Sequence, residues 1–420
     1  MIDALIESVD VSAYTVPTDA PEADGTITWA STTVVVVQVR AGRTVGTGWT
    51  YAPAAGAVLV RDVLAPLVRG RDALDIGALS NAMVQAVRNF GRPGMASYAI
   101  SAVDLADLKA RLVDLPLHRL LGAVRAQVPI YGSGGFTAYD DGQLQRQLTG
   151  WTDQGIARVK IKIAESWGSK SGRDLDRMSQ TREVIGEGVE LFVDANGGYG
   201  RKQAIRMMRA AKDLDVRWFE EPVSSDDLVG LREVRDAVDA DVTAGEYGTD
   251  LTYFRRMCQA SAVDCLQVDV SRCGGITEWL RAAAVAASFG LEVSGHCGPH
   301  LHVHVAAATP NLRHLEWFHD HVRIETIFFD GTLDPQGGSL TPDTNSPGNG
   351  LTLRTQDVEK YRSSEGSGGS RGGQAVPMAG RLPRDRRTVR AASRPGRPHA
   401  PPGRSRPRRW ARQAPRHRRP

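Results

Sequence analysis

Three acidic residues recur at a fixed interval, each directly after a short apolar run of the chain. Exactly the same spacing, 26 residues, separates Asp194 from Glu220 and Glu220 from Glu246. Carboxylates brought together repel one another unless a cation lies between them. Oxygen ligands of this kind select a hard divalent ion, most often Mg²⁺. The spacing therefore predicts one magnesium site, provided that the fold brings the three acids together.

Two lysines offer a candidate base. Lys160 and Lys162 stand in the run VKIKI at residues 159–163, and the two-residue period of a strand places both side chains on one face. A lysine near its ordinary pKa of about 10.4 is a poor base at neutral pH. We expect the second lysine and the metal ion to depress the pKa of Lys162. The alternative is a solvated strand edge without a catalytic role.

A histidine and an aspartate form a further pair. Asp269 and His296 follow successive apolar runs, so the aspartate can hold one imidazole nitrogen and orient the other toward a substrate. The alternating run His300, His302 and His304 lies in a predicted helix, on which residues i and i+2 do not share a face. We therefore expect those histidines to pack or to face solvent rather than to bind a metal ion.

Eight short apolar runs beyond about residue 126 must position these residues. They alternate with amphipathic stretches, which is typical of parallel βαβ units, and a closed barrel is the economical arrangement for eight such strands. Catalytic groups of a parallel barrel lie at the carboxyl ends of its strands, where these acids and bases fall. We expect strands over residues 128–131, 158–163, 191–193, 216–219, 242–244, 265–268, 291–294 and 314–316.

The chain before residue 122 has a different pattern. Residues 32–40 predict a strand rich in β-branched side chains, and residues 42–51 supply a turn and a second short strand. Helical spacing of apolar residues follows over 57–121. We expect a capping domain over residues 1–122, a catalytic barrel over 123–329, and residues 330–361 packing back on the cap.

The net charge of +4 averages two different segments. Residues 362–420 hold 17 arginines, no lysine and two acids, which gives this tail +15 and leaves −11 for the rest. The tail is rich in Gly, Pro and Ser and is expected to be disordered. It could bind nucleic acid non-specifically, although its composition also fits translation of an extended or shifted reading frame. The acidic body argues against a nucleic-acid groove elsewhere.

Composition narrows the class further. Hydrophobic residues make up 41% of the chain and charged residues 24%, which is typical of soluble globular proteins. No apolar run approaches the roughly 18 residues of a membrane helix, and residues 1–11 do not read as a secretion signal. We expect a cytoplasmic protein with free thiols and no structural zinc site, because no CxxC pair occurs among Cys258, Cys265, Cys273 and Cys297.

Seven motifs in order carry a family resemblance over roughly residues 1–361. The sequence resembles the mandelate racemase-like subgroup of the enolase superfamily through VKIKI at 159–163, FVDANGGY at 192–199, WFEEP at 218–222, AGEYG at 244–248, QVDVSRCGGIT at 267–277, SGH at 294–296 and HLEW at 314–317. The resemblance implies an α/β fold, a modified (β/α)7β barrel under an N-terminal α+β cap. It also implies an enzyme that removes the proton alpha to a carboxylate, often as a symmetric oligomer.

The resemblance assigns roles to the residues of the barrel. It implies Lys162 as the general base on one face of the substrate, with Lys160 beside it, and the Asp269–His296 pair as the acid/base on the opposite face. Glu316 would hydrogen-bond the substrate carboxylate or its enediolate form, which requires a transiently protonated Glu316. The implied ligands of a single Mg²⁺ are Asp194, Glu220 and Glu246.

Substrate binding is assigned to Asn196 and to two cap loops, over residues 16–29 and 46–51. In these loops Thr28, Trp29 and Trp49 either line the pocket or pack the cap on the barrel.

Two reactions remain open for a small carboxylate substrate. A hydroxyl on the beta carbon would be expelled as water, which makes the enzyme a sugar-acid dehydratase that forms a 2-keto-3-deoxy acid. Without a leaving group, reprotonation on the other face gives racemisation or epimerisation of a 2-hydroxy acid. We favour dehydration, because a lysine and a His–Asp pair together supply both the base and the acid.

Overall fold

The computed structural model describes residues 2–363. The predicted Arg-rich tail, and with it the nucleic-acid alternative, lies outside the described residues apart from Arg362 and Ser363. Within the described part, no helix is long and apolar enough to cross a membrane. The four cysteines are buried and carry free thiols.

A closed barrel of eight parallel strands forms the centre of residues 2–363. Each strand pairs with its neighbour in sequence, and the last pairs back with the first through Leu315–Ile130 and Glu316–Tyr131. The predicted barrel is therefore confirmed. Its strands are β4 (Val128–Gly134), β5 (Arg158–Lys162), β6 (Glu190–Asp194), β7 (Val216–Glu220), β8 (Asp241–Ala244), β9 (Cys265–Val268), β10 (Glu292–Gly295) and β11 (Leu312–Phe318).

Helices connect the strands and cover the outside of the barrel. Local sequence fixes their ends: Asp140 and Gln143 form a capping box at the first, and Gly186, with φ of 69°, ends the second. The alternating histidines lie on one of these helices, as predicted. The longer helices are Asp141–Asp153, Ser171–Ile185, Arg201–Ala210, Leu228–Arg235, Leu251–Gln259, Gly275–Ser288, Pro299–Ala307 and His319–Phe328.

An aromatic layer fills the barrel below the polar strand ends. Tyr131, Phe192 and Trp218 belong to one buried cluster, in which the rings of Phe192 and Trp218 stack with centroids 5.4 Å apart. Asp194 and Glu220 follow two residues further along the same strands. Because side chains alternate along a strand, both carboxylates lie on the face that the aromatic rings occupy.

The cap begins with an antiparallel meander of β1 (Ile6–Ala23), β2 (Thr28–Ala41) and β3 (Thr44–Tyr51). The strands predicted over residues 32–40 and within 42–51 are confirmed as β2 and β3, whereas the cap loops predicted over 16–29 and 46–51 are strands over most of their length. Residues 16–23 extend β1, and residues 46–51 belong to β3, which pairs with the β-branched run of β2. A turn over residues 24–27 remains, in which the Asp24 side chain accepts hydrogen bonds from the backbone N–H groups of Thr26 and Ile27.

Helices of the cap pack against one side of the meander, and residues 329–363 pack against another part of it. The helices are Ile76–Ala86, Met95–Val103 and Ala106–Leu112, with a buried core between them and the strands. A second core joins Tyr14 and Trp49 of the meander to Phe328, Phe329 and Val358. This part of the cap is thus built from chain segments that precede and follow the barrel strands in the sequence.

Candidate active site

Two buried lysines join the carboxyl ends of four strands. Lys160 is fully buried, and its Nζ atom lies 2.5 Å from Glu220 Oε1, 2.8 Å from Glu316 Oε1 and 3.7 Å from Asp194 Oδ2. Lys162 donates a hydrogen bond to Asp194 Oδ2. The structure therefore brings these five predicted residues together at one end of the barrel.

The pKa of Lys162 is raised rather than depressed. Burial lowers this pKa, but the carboxylates of Asp194, Glu220 and Glu316 together raise it by more than burial and the charge of Lys160 lower it. The pKa of Lys160 is also held well above its ordinary value, because Glu220 and Glu316 outweigh the effect of burial. The protein groups alone therefore favour the ammonium form, and a depressed pKa of Lys162 stays a prediction for the site with its metal ion.

Asp269 and His296 form the predicted dyad. His296 Nδ1 lies 2.8 Å from Asp269 Oδ2, while the Ser271 backbone N–H and hydroxyl both donate to Asp269 Oδ1 at 2.7 Å. His296 Nε2 lies 3.3 Å from Glu246 Oε2. Burial would lower the pKa of His296, but Glu246 and the hydrogen bond to Asp269 raise it. The imidazole is therefore fixed in orientation and favours its protonated form.

Glu316 is held from both sides. Its Oε1 atom lies 2.8 Å from Lys160 Nζ and accepts a hydrogen bond from Ser133 Oγ at 2.5 Å, and its Oε2 atom accepts one from the Cys297 backbone N–H at 2.9 Å. Burial would raise the pKa of Glu316, but Lys160 and His296 hold it well below its ordinary value. The expected protonated form is consequently not favoured in this arrangement, and Glu316 is an acceptor here.

A further buried acid was missed by the sequence predictions. Glu221, the second acid of WFEEP, is 1% exposed, and its Oε1 atom has no hydrogen-bond partner. Burial raises its pKa well above the ordinary value, and Glu246 and Asp194 raise it further. Its backbone has a positive φ of 38°, a strained conformation for a residue with a side chain. The adjacent pair of acids in WFEEP was the signal available in the sequence.

The oxygen donors at three of the strand ends are of the chemical type that a hard divalent cation prefers. Asp194, Glu220 and Glu246 end the successive strands β6 and β7 and follow β8, and all three are buried. Among the described residues, the ligand atoms of these three acids do not all lie within 4.8 Å of one another. Two buried oxygens accept no hydrogen bond from the protein: Oε2 of Glu246 itself and Oδ1 of Asn196, two residues after Asp194. Buried carboxylate oxygens without a donor are costly, and an ion that prefers oxygen ligands would satisfy them.

A cavity of about 500 Å³ lies between this end of the barrel and the cap. Lys162, Asn196, Glu246 and His296 reach its wall from the barrel. Arg272 does so as well, and its Nη1 atom lies 3.0 Å from Glu246 Oε1. Sequence reasoning quoted Arg272 within QVDVSRCGGIT but gave it no role, because its motif does not show that the side chain faces the cavity.

The three cap residues that were predicted to bind substrate lie in three different environments. Trp29 lines the cavity, and its Nε1–H donates to Glu22 at 2.8 Å. Thr28 is exposed and is not among the residues that line the cavity. Trp49 is fully buried, 4.6 Å from the Phe329 ring between centroids, and donates to Glu325. Trp49 therefore packs the cap on the rest of the protein, as the alternative interpretation had it.

Family models match most of the chain. Residues 8–122 match the mandelate racemase / muconate lactonizing enzyme N-terminal domain, and residues 143–358 match the enolase C-terminal domain-like family. The chain therefore belongs to the mandelate racemase/muconate lactonizing enzyme family of the enolase superfamily.

Two curated relatives carry the names of sugar-acid dehydratases. L-talarate/galactarate dehydratase of Salmonella typhimurium is 32% identical over 69% of this chain and 74% of its own length. Arabinonate dehydratase of Saccharolobus solfataricus is 30% identical over 73% of this chain and 83% of its own length.

Solved structures agree with this assignment. A mandelate racemase/muconate lactonizing enzyme-like protein from Rubrobacter xylanophilus is 47% identical with a TM-score of 0.83, over 86% of this chain and 100% of its own. A racemase from Streptomyces coelicolor A3(2) with bound magnesium is 28% identical with a TM-score of 0.80, over the same shares of the two chains. The second structure contains the ion that the donor set of this chain fits.

Proposed function

We propose that this protein is a magnesium-dependent sugar-acid dehydratase. It removes the proton alpha to a carboxylate and expels the beta hydroxyl as water, which leaves a 2-keto-3-deoxy acid. The observation that carries this proposal is the placement of Lys162 and His296. Lys162 ends β5 and His296 directly follows β10. Two strands lie between them on one side of the barrel and four on the other, and both residues reach the same cavity.

Asp194, Glu220 and Glu246 would hold the Mg²⁺ ion. When bound, the ion supplies a positive charge that binds the substrate carboxylate and stabilises the negative charge that develops when the alpha proton leaves. Lys160, which contacts Glu220 and Glu316, fixes the positions of these two carboxylates.

Lys162 takes the alpha proton on one side of the substrate. Its Nζ atom is held by Asp194, so the side chain is already oriented before substrate arrives. A cation bound to Asp194 would oppose the ammonium form of Lys162 and so favour the neutral amine that a base requires.

His296 delivers a proton on the other side. Its raised pKa favours the imidazolium form, which suits a group that protonates a departing hydroxyl. Asp269 keeps Nδ1 occupied and thereby leaves Nε2 to face the cavity. Electrons from the broken C–H bond then expel the beta hydroxyl as water, and the enol product becomes the keto acid.

A racemase or epimerase is the second candidate. The same two bases on different sides of the cavity could exchange the alpha proton of a substrate that lacks a beta leaving group. The racemase from Streptomyces coelicolor with this fold supports that alternative.

One experiment separates these reactions. The protein is incubated with Mg²⁺ and a panel of sugar acids in D₂O, and both keto-acid formation and deuterium at the alpha carbon are followed. We expect a 2-keto-3-deoxy acid from at least one substrate. Deuterium uptake without keto acid would favour racemisation, and neither signal across the panel would overturn the proposed enzyme.

A further inference from the structure

A group of possible metal ligands lies outside the catalytic residues. Asp19 and Glu22 of β1 and His319, the first residue of the helix His319–Phe328, each offer one ligand atom, and these three atoms all lie within 4.8 Å of one another. His319 Nε2 is 2.9 Å from Asp19 Oδ2. Two ligands that are about 2.1 Å from one ion and at right angles to each other are about 3 Å apart. The three side chains can therefore reach a single ion with small adjustments.

Glu22 has a buried oxygen without a partner. Its side chain is fully buried, and its Oε1 atom accepts no hydrogen bond. Its Oε2 atom accepts one from Trp29 Nε1 at 2.8 Å. A buried carboxylate oxygen without a donor is costly, and a cation bound at this group would satisfy it. The hydrogen bond from Trp29 fixes the orientation of the carboxylate, as outer hydrogen bonds do for carboxylates that bind metal ions.

The charges that act on Glu22 also favour a cation. Asp320 and Asp19 act on Glu22 as negative charges, whereas the opposing positive charge of Arg323 is already paired with Asp320 at 2.6 Å. Burial, followed by the charge of Asp320, raises the pKa of Glu22 to about 8 in the protein without an ion. A bound cation would reverse this shift, because positive charge favours the ionised carboxylate.

The types of ligand select a transition metal ion rather than Mg²⁺. Imidazole is a good ligand for Zn²⁺, whereas Mg²⁺ prefers oxygen ligands alone. One histidine and two carboxylates leave the fourth position of a tetrahedral Zn²⁺ ion for water, and the exposed side chain of Asp19 gives water access. The expected absence of a structural zinc site was based on the spacing of the cysteines, and this group contains no cysteine.

We propose that Asp19, Glu22 and His319 form a second metal site, which binds Zn²⁺ and fastens the cap to the barrel. Two of the ligands belong to the cap strand β1, and the third directly follows the last barrel strand, β11. The three ligands are not among the residues that line the cavity, but Trp29, which contacts Glu22, and Asp320, which follows His319, are. The ion would therefore hold part of the cavity wall in place. This inference goes beyond the proposed function and does not depend on it.

The first test counts bound zinc in the full-length protein. Metal-free protein is dialysed against excess Mg²⁺ and increasing Zn²⁺, so that zinc bound elsewhere is common to all variants. We expect His319→Ala and Asp19→Asn each to lose one equivalent of zinc, with a dissociation constant at least about tenfold higher than in the wild-type protein. Asp10→Asn is the matched control, because Asp10 is an exposed acid of the same strand whose recorded hydrogen bond is with Ser8.

Two further measurements locate the ion and test its structural role. Crystals grown with both ions should give an anomalous peak at the zinc edge between the three side chains. Zn²⁺ should also raise the midpoint of urea unfolding of the wild-type protein and of Asp10→Asn, and should raise that of His319→Ala and of Asp19→Asn by less, because an ion that binds only the folded state stabilises it.

Each outcome decides one part of the inference. Equal zinc content in the wild-type protein and in both ligand variants, or an anomalous peak at the catalytic acids alone, would overturn the second site. Loss of the zinc equivalent with the same effect of Zn²⁺ on all unfolding midpoints would overturn its role in fastening the cap. Absence of turnover would count against the proposed function and leave this site standing, because none of these measurements uses a substrate.

Discussion

His296 and Asp269 share a contact of 2.8 Å between Nδ1 and Oδ2, and Arg272 Nε lies 3.3 Å from the same carboxylate oxygen. The pKa of Asp269 is lowered: burial would raise it, but His296 and Arg272 more than compensate. Asp269 is thus ionised, and its charge both orients the imidazole and favours the imidazolium.

Asp269→Asn should shift the pH dependence of turnover. Loss of the carboxylate lowers the pKa of His296, so the imidazolium form disappears at a lower pH and the alkaline limb of the kcat profile moves to lower pH. We expect kcat to fall by about 10²–10⁴-fold. Ser271→Ala is the control, because it removes one donor to Asp269 but keeps the carboxylate. A reduced kcat with an unshifted profile would contradict this role.

Substitution of the two bases should separate proton removal from water loss. Lys162→Ala should slow both keto-acid formation and deuterium exchange at the alpha carbon, whereas His296→Asn should slow only keto-acid formation. Each loss should be about 10²–10⁴-fold. Mass spectrometry of recovered substrate from D₂O measures the exchange. Exchange that survives in Lys162→Ala and is lost in His296→Asn would reverse the two assignments.

Glu246→Gln should weaken the binding of Mg²⁺. The amide keeps the shape of the side chain but removes the charge, and Glu246 Oε2 is one of the buried oxygens without a hydrogen-bond donor. We expect the dissociation constant of Mg²⁺ to rise at least about tenfold, by comparison with losses on substitution at metal sites. Calorimetric titration checks this without any substrate. Glu233→Gln, at an exposed contact with Lys202, should leave the affinity unchanged.

Trp49 should matter for stability and not for substrate affinity. Trp49→Ala leaves a void against Phe329, and we expect the free energy of unfolding to fall by about 3–5 kcal/mol. Trp49→Phe keeps a ring in the core and should leave KM unchanged, since Trp49 does not line the cavity. Urea unfolding and steady-state kinetics test both points. A raised KM in a fully folded Trp49→Phe variant would show that Trp49 does contribute to substrate binding.

Glu22 should make stability fall as pH rises. Its pKa is about 8 in the folded protein against 4.5 for the ordinary carboxyl group, so the folded state holds the proton more tightly. The stabilisation that the protonated Glu22 gives the folded state is complete below the unfolded-state pKa of 4.5. It is lost as pH rises through the folded-state pKa of about 8. Glu22→Gln stays neutral and should remove this decline.

The midpoint of urea unfolding, measured at the two ends of that pH window, tests this expectation. At the alkaline end, the unfolding midpoint of Glu22→Gln should rise relative to that of the wild-type protein. The midpoint of Glu7→Gln, a substitution at an exposed position, should not. Parallel pH profiles of Glu22→Gln and the wild-type protein would disprove the linkage.

The barrel and the residues at its strand ends could be predicted from the sequence because both follow regular spacings along the chain. Alternation along β5 places Lys160 and Lys162 together, and the βα period repeats the acids Asp194, Glu220 and Glu246 at successive strand ends. These signals are local in the chain, so propensity and spacing are sufficient to find them.

The cavity wall could not be predicted in the same way. Trp49 and Trp29 have similar sequence surroundings in the cap, yet one packs in the core and the other faces the cavity. Their placement depends on contacts between distant segments, such as that between Trp49 and Phe329. The direction in which the protein groups shift the pKa of Lys162 could not be predicted either, because it depends on burial and on contacts such as that with Asp194, which spacing alone does not give.

The core that joins Tyr14 and Trp49 to Phe329 and Val358 has a consequence for how this protein folds. The first strands leave the ribosome well before their apolar partners have been synthesised. Contacts of such long sequence separation are slow to form, because closing a long loop costs chain entropy before the contact compensates for it. The nascent meander therefore exposes an apolar face throughout synthesis of the barrel, which makes it the segment that a chaperone would protect.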